Sequence, residues 1–134
     1  MVGLNIMADT AKKVMLIEDD KFLSSLIKAR LEKDGFSVVQ SFDGDDAITR
    51  LPEERPDLVI LDLIMPKTNG FEVLKAMSLM PGLERTPVVI VSNLAQDSDI
   101  AKAQQLGAKA YFVKVKISID DLIGKIENLV QQPS

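Results

Sequence analysis

The sequence predicts a doubly wound α/β domain built on a five-stranded parallel sheet, and three observations carry that prediction. Short apolar runs alternate with helix-patterned segments along the chain, and parallel strands need such crossover connections. The runs are apolar throughout rather than alternating, as expected of strands covered on both faces. The length of 134 residues fits one domain, with no internal repeat or low-complexity linker.

The first run, Val14-Met15-Leu16-Ile17, leads directly into Glu18-Asp19-Asp20. A helix is expected over 21–34, with Phe22, Leu23, Leu26, Ile27 and Leu31 on its apolar face and Gly35 as its stop. Residues 37–42 read as the second strand around Val38 and Val39. A short helix is placed over 45–51, with Pro52 and Pro56 bounding the connection to the third strand. The third run, Leu58-Val59-Ile60-Leu61, ends in Asp62. Helix is favoured again from 70 to about 80, where Phe71, Leu74 and Met77 share a face. The fourth run, Val88-Val89-Ile90-Val91, ends at Ser92, and a weaker helix over 98–106 stops at Gly107. The fifth run, Tyr111-Phe112-Val113, ends at Lys114. The last helix begins near Ser118, which forms a capping-box pattern with Asp121. Its apolar face is Ile119, Leu122, Ile123, Ile126, Leu129 and Val130. The domain is expected over 12–131, with 1–11 a flexible N-terminal extension and 132–134 a C-terminal tail.

Composition narrows the chemistry. Sixteen Lys+Arg against 20 Asp+Glu give a net charge of −4, which argues against a domain devoted to gripping nucleic-acid phosphates. Hydrophobic residues at 46% and charged residues at 27% match a globular domain. No apolar run reaches membrane-spanning length, and the first 13 residues lack a secretory pattern, so the cytoplasm is the default expectation. Without cysteine there is no disulfide or thiolate; without histidine there is no imidazole base. Carboxylates, hydroxyls and lysines remain.

In such sheets ligands bind in the crevice beyond the carboxyl ends of the strands. The runs deliver Glu18 and Asp19, Asp62, Ser92 and Lys114 to that rim. Any one of these alone is an ordinary loop residue; together they are chemically complementary. Three carboxylates repel unless protonated or bridged by a cation, and an all-oxygen donor set favours a hard ion, Mg²⁺ first. Such an ion and Lys114 would bring the local charge to about zero and leave a site able to receive a phosphoryl group. Asp62, presented singly in mid-sheet, is the candidate nucleophile, forming an aspartyl phosphate, and Ser92 a donor to a phosphoryl oxygen.

These pieces, read in order, resemble a response-regulator receiver domain of two-component signalling, over residues 12 to 131. The matching segments are Leu16-Ile17-Glu18-Asp19-Asp20, Asp57 through Asp62 followed by Met65-Pro66 and Asn69-Gly70, Pro87 through Ser92, Gly107 through Tyr111, and Val113-Lys114. The resemblance implies a flavodoxin-like strand order 2-1-3-4-5 with helices on both faces. It implies that Asp62 is the phosphoacceptor, receiving its phosphoryl group from a histidine kinase, a phosphotransfer protein or a small phosphodonor. Asp19 and Asp62 would bind Mg²⁺ directly, with the backbone carbonyl of Ile64, and Glu18 through water. Asp20 would open the first helix. Ser92 and Lys114 would hold phosphoryl oxygens, and Ser92 with Tyr111 would form the switch. That switch would reshape the face of the fourth helix, fifth strand and fifth helix, the expected contact surface for a downstream protein. Direct nucleic-acid or membrane contact is not expected, nor is catalysis beyond the domain's own phosphorylation and dephosphorylation. The chain reads as a stand-alone receiver or as one excised from a longer regulator.

Two departures from the family pattern stand out. Val115 follows Lys114 where the family usually has a cis proline; a trans linkage, an altered loop and a less rigidly aimed lysine are expected. Asn93 replaces a small residue after Ser92, and Lys116 offers a second nearby cation. The apolar Ile64 and Leu94, two places beyond Asp62 and Ser92, are expected to shield an acyl phosphate from water. The departures motivate an alternative, a degenerate receiver that binds partners independently of phosphate. A haloacid-dehalogenase-like enzyme fits less well, because Ile64 stands where such enzymes carry an acid.

Overall fold

The structure, a computed structural model, describes residues 11–131. Residues 1–10 of the expected extension and the whole expected tail therefore lie outside the described residues. Five strands, β1 (Lys13–Ile17), β2 (Ser37–Ser41), β3 (Leu58–Leu61), β4 (Val88–Ser92) and β5 (Ala110–Val113), pair in parallel in the order β2-β1-β3-β4-β5. Five α-helices connect and follow them: α1 (Lys21–Lys33), α2 (Gly44–Glu54), α3 (Gly70–Ser78), α4 (Asp97–Gln105) and α5 (Ile119–Gln131). The fold is the flavodoxin-like one expected, with a short 3₁₀ turn, Lys114–Lys116, between β5 and α5. No helix among the described residues is long and apolar enough to cross a membrane.

Side chains of successive strand residues point to opposite faces, and the sheet is buried on both. Met15, Ile17, Val59, Leu61, Val88 and Ile90 pack one way, against α2, α3 and α4. Val14, Leu16, Leu58, Ile60, Val89 and Val91 pack the other way, against α1 and α5. Each fully buried aliphatic side chain contributes about 1.5–3 kcal/mol relative to exposure. Those two layers hold the strand ends, and hence the loops that carry the rim residues, in fixed register. An Arg30–Asp120 ion pair ties α1 to α5.

The helix caps are local consequences of sequence. The Asp20 side chain accepts from the Leu23 N–H (3.1 Å), Asp43 from Asp46 (2.8 Å), Asn69 from Glu72 (3.1 Å) and Ser118 from Asp121 (3.1 Å), each satisfying a first-turn donor. Asp20 opens α1, and Ser118 opens α5, as expected.

Two expectations need correction. Phe22 and Leu26 do not lie on the core face of α1; they are 75% and 40% exposed, while Ser24, Ile27 and Leu31 are buried. Ser24 can be buried because its hydroxyl accepts from the Gln40 side chain (2.9 Å), so the inward stripe runs through a serine rather than through the aromatic. The second helix starts earlier and ends later than 45–51. Asp43 caps it, and it continues through Pro52 to Glu54. Its last turn is held from outside by Lys13, whose Nζ donates to the Glu54 carbonyl (2.9 Å) and contacts its carboxylate (3.2 Å), and from within by an i,i+4 pair of Arg50 with Glu54 (3.4 Å). These contacts offset the hydrogen bond that Pro52 cannot donate.

Candidate functional site

The register of the sheet assembles the rim. Glu18 follows β1 and its N–H donates to the Ser41 carbonyl (3.0 Å); Asp62 follows β3 and its N–H donates to the Ile17 carbonyl (3.0 Å). These bonds extend the ladder one step past the strand ends and set Glu18 and Asp62 on neighbouring strands. Ser92 closes β4 opposite Val113 of β5, one residue before Lys114. Glu18, Asp62 and Ser92 are buried, at 3%, 4% and 0% exposure, while Asp19 is exposed.

All five predicted rim residues stand at this edge, and four of them are joined in one charge cluster. Carboxylate oxygens of Glu18, Asp19 and Asp62 lie within 4.8 Å of one another. Lys114 Nζ sits 2.7 Å from Glu18 Oε1 and 2.7 Å from Asp62 Oδ2. The other oxygen of each buried carboxylate accepts a backbone N–H, Asp20 to Glu18 Oε2 (3.0 Å) and Ile64 to Asp62 Oδ1 (3.1 Å). Ser92 Oγ accepts weakly from the Leu94 N–H (3.4 Å).

Electrostatics follow from burial and partners. Stripping water from Glu18 pushes its carboxyl up to about 7, against the hydrogen bonds from Lys114 and Asp20 and with the Asp62 charge adding to the rise. Burial pulls the Lys114 ammonium down, but its hydrogen bonds to Asp62 and Glu18 outweigh that, and the net shift is upward. One ammonium faces three carboxylates, so the cluster is short of positive charge by about one divalent ion. An all-oxygen set with one exposed member, Asp19, fits a hard cation that enters from solvent.

No cis peptide occurs among the described residues, so Lys114-Val115 is trans as expected. The loop does change: Lys114 opens the 3₁₀ turn, and Val115 is 79% exposed. The expected loosening of Lys114 is not what the geometry gives, because two carboxylates grip its ammonium at 2.7 Å. Lys116 and Asn93 are both exposed. The Ile64 side chain is 53% exposed, and Leu94 is half-buried.

Tyr111 lies half-buried on β5 and packs against the core layer that includes Ala103 and Ile90. Its hydroxyl donates to the Leu94 carbonyl at 2.7 Å, bridging β5 to the loop two residues beyond Ser92. Burial, with the charges of Asp99 and Asp62 adding to it, raises the phenol's pKa, so it remains a donor.

Sequence reasoning missed the support beneath Asp62. A Cβ on Gly70 would lie 2.3 Å from the Asp62 carbonyl oxygen, so only glycine lets the loop after β3 turn back so closely. A Cβ on Gly44 would lie 1.8 Å from the Thr68 carbonyl, so the amino end of α2 presses directly on that loop. A Thr68–Asp45 hydrogen bond and a Lys67–Asp43 contact (3.7 Å) tie the same two segments. The available signal was the Asp43-Gly44 pair, which reads as a cap followed by a residue without a side chain.

The comparisons with known proteins agree with this architecture. The family model for the response regulator receiver domain matches residues 14–127. The phosphate regulon transcriptional regulatory protein PhoB of Rhizobium meliloti is 32% identical over 90% of the chain, which covers 52% of that protein. The chain thus spans about half the length of the curated relatives it matches. Among solved structures, the BeF3-activated receiver domain of Klebsiella pneumoniae RstA has a TM-score of 0.80 at 28% identity, covering 90% of this chain and 99% of that one. The phosphorylated cyanobacterial phytochrome response regulator RcpA has a TM-score of 0.77 at 32% identity, covering 90% and 91%. With 114 consecutive residues under the family model and the acidic edge of the sheet in register, this chain belongs to the response regulator receiver domain family.

Proposed function

We propose that the chain is a phosphorylatable switch in which Asp62 accepts a phosphoryl group from a histidine kinase or phosphotransfer protein. The observation that carries this reading is the cluster itself: three carboxylates within 4.8 Å, and Lys114 Nζ 2.7 Å from two of them. A carboxylate oxygen of Asp62 attacks phosphorus; the N–P bond of the phosphohistidine breaks, and the imidazole leaves with its electron pair and takes up a proton. The product is an acyl phosphate on Asp62. Lys114 would hold a phosphoryl oxygen once it releases Asp62, and Ser92 would donate to another.

Glu18, Asp19, Asp62 and the backbone carbonyl of Ile64 would hold Mg²⁺, which supplies charge neutralisation for the incoming phosphoryl oxygens. That RstA is known in a BeF3-activated form and RcpA in a phosphorylated one supports the same chemistry here. The added charge strengthens whichever loop arrangement draws Ser92 and Lys114 inward, and the Tyr111–Leu94 bond couples that loop to β5. The face of α4, β5 and α5 is then the surface a downstream protein reads.

Incubation with Mg²⁺ and acetyl phosphate, followed by intact-mass measurement, is expected to show a gain of one phosphate that Asp62→Ala abolishes. An unchanged mass under those conditions would instead support the phosphate-independent binding module.

A further inference from the structure

We propose that the opposite pole of the sheet is a second binding site, for a small phosphorylated ligand that also carries an apolar ring, such as a nucleoside diphosphate. A concavity of about 670 Å³ lies there, at the amino ends of the strands. That volume is in the range of small-molecule sites. It forms where the chain re-enters the sheet before β1, β3, β4 and β5, beside the end of α5, and shares no residue with the acidic rim.

Four cations line it: Lys12, Arg55, Arg85 and Lys109. All four are exposed, and none lies within 4 Å of a carboxylate of another described residue. Two acids share the concavity, Asp57 and Glu84, so four cations against two carboxylates leave it a net charge of +2. Asp57 is turned to the backbone, accepting from the Lys13 N–H at 2.8 Å, and Glu84 is exposed without an ion pair to a described residue. A local excess of positive charge in a chain of net charge −4 is against the average of the molecule. The net positive charge around one hollow favours an anion between the cations, which relieves their mutual repulsion.

Arg55 stands at the mouth of the hollow beside Gly82. It adopts the left-handed conformation (φ 48°), and its guanidinium lies on Gly82 (φ 85°), where a Cβ would fall 2.6 Å from Nη2. A planar guanidinium there suits bidentate contact with phosphate oxygens. The hollow also has an apolar side. Leu83 is buried beneath it, and the half-buried Leu129 and Val130 flank it, offering a surface for a heterocyclic ring. The acidic character of the whole chain disfavours an extended polyanion such as nucleic acid, whereas a compact phosphate ester meets only the local field.

Calorimetric titration of the full chain with ADP, in chelator and low salt so that no divalent ion bridges nucleotide to the acidic rim, tests the proposal. The expected result is saturable binding of one ADP, weakened at least tenfold in Arg55→Gln/Arg85→Gln. Lys75→Gln/Lys125→Gln, which removes two exposed cations elsewhere, is expected to bind as the parent does. Amide chemical-shift changes are expected at Arg55, Asp57, Arg85 and Lys109, and circular dichroism of each variant verifies the fold. Absence of saturable binding, or equal binding by both double variants, would overturn the site. Pyrophosphate binding as tightly as ADP would overturn the assignment to a ring-bearing ligand.

Discussion

Lys114 holds together two carboxylates that the fold would otherwise bury unneutralised, and its ammonium has no equal substitute within the site. Removing one partner from a buried charge cluster costs about 3–5 kcal/mol, because the remaining charges lose compensation without regaining water. Lys114→Ala is therefore expected to lose phosphorylation by acetyl phosphate and to be destabilised in chelator by a few kcal/mol, part of which Mg²⁺ restores; urea denaturation with and without Mg²⁺ measures both effects. Glu18 gives the pH dependence. Its folded pKa of about 7 lies above the ordinary 4.5, so the folded state binds more protons between those values than the unfolded chain. Stability of the metal-free protein should then fall as pH rises from about 4.5 to about 7, by at most about 3 kcal/mol, and the contribution should level off above that. Lys114, shifted upward, contributes stability that is fully present below its ordinary value and is lost only as pH rises through its folded value. Glu18→Gln is expected to flatten the acid-side slope in urea titrations across pH 4 to 8.

Elements explain which parts of the site were legible. The strand ends could be read because an apolar run stops where the chain leaves the sheet, and the residue at the stop faces the crevice. Asp62, Ser92 and Lys114 were found that way. Helix boundaries were less readable: Pro52 looks like a terminus, yet Lys13, from the start of β1, reaches across to stabilise the turn that contains it. Phe22 misled because the stripe facing the sheet runs through Ser24, Ile27 and Leu31, and a buried serine whose hydroxyl accepts from Gln40 does not register in an apolar periodicity. The contact between α2 and the loop after β3 was invisible because it is a distance between backbones. Its consequence is testable. Gly44→Ala places a methyl 1.8 Å from the Thr68 carbonyl oxygen and must displace the loop that carries Ile64, so it should cost about 1–3 kcal/mol and slow phosphorylation of Asp62. Gly35→Ala meets nothing within 4 Å and should cost only about 1–2 kcal/mol for its left-handed backbone (φ 95°), with phosphorylation unchanged. Equal phosphorylation rates in the two variants, followed by mass spectrometry, would remove the loop-support role.

At the scale of the whole molecule, one sheet separates two poles of opposite character. The carboxyl pole gathers acids around Lys114, and the amino pole gathers cations that pair with no described carboxylate around a hollow. The two core layers join them. The parallel doubly wound sheet was readable from the run of motifs along the chain, and the order of its strands from the family resemblance those motifs carry. The amino-pole hollow was not, because its cations are scattered in sequence at 12, 55, 85 and 109 and only the crossovers bring them together. The central claim is that Asp62 is where the phosphoryl group lands. Borohydride reduction of the acetyl-phosphate-treated protein converts an aspartyl phosphate to homoserine, and peptide mapping locates it. Homoserine at position 62 alone, formed only when Mg²⁺ is present, is the predicted result; homoserine at another aspartate, or none at any position while the mass gain persists, would contradict it.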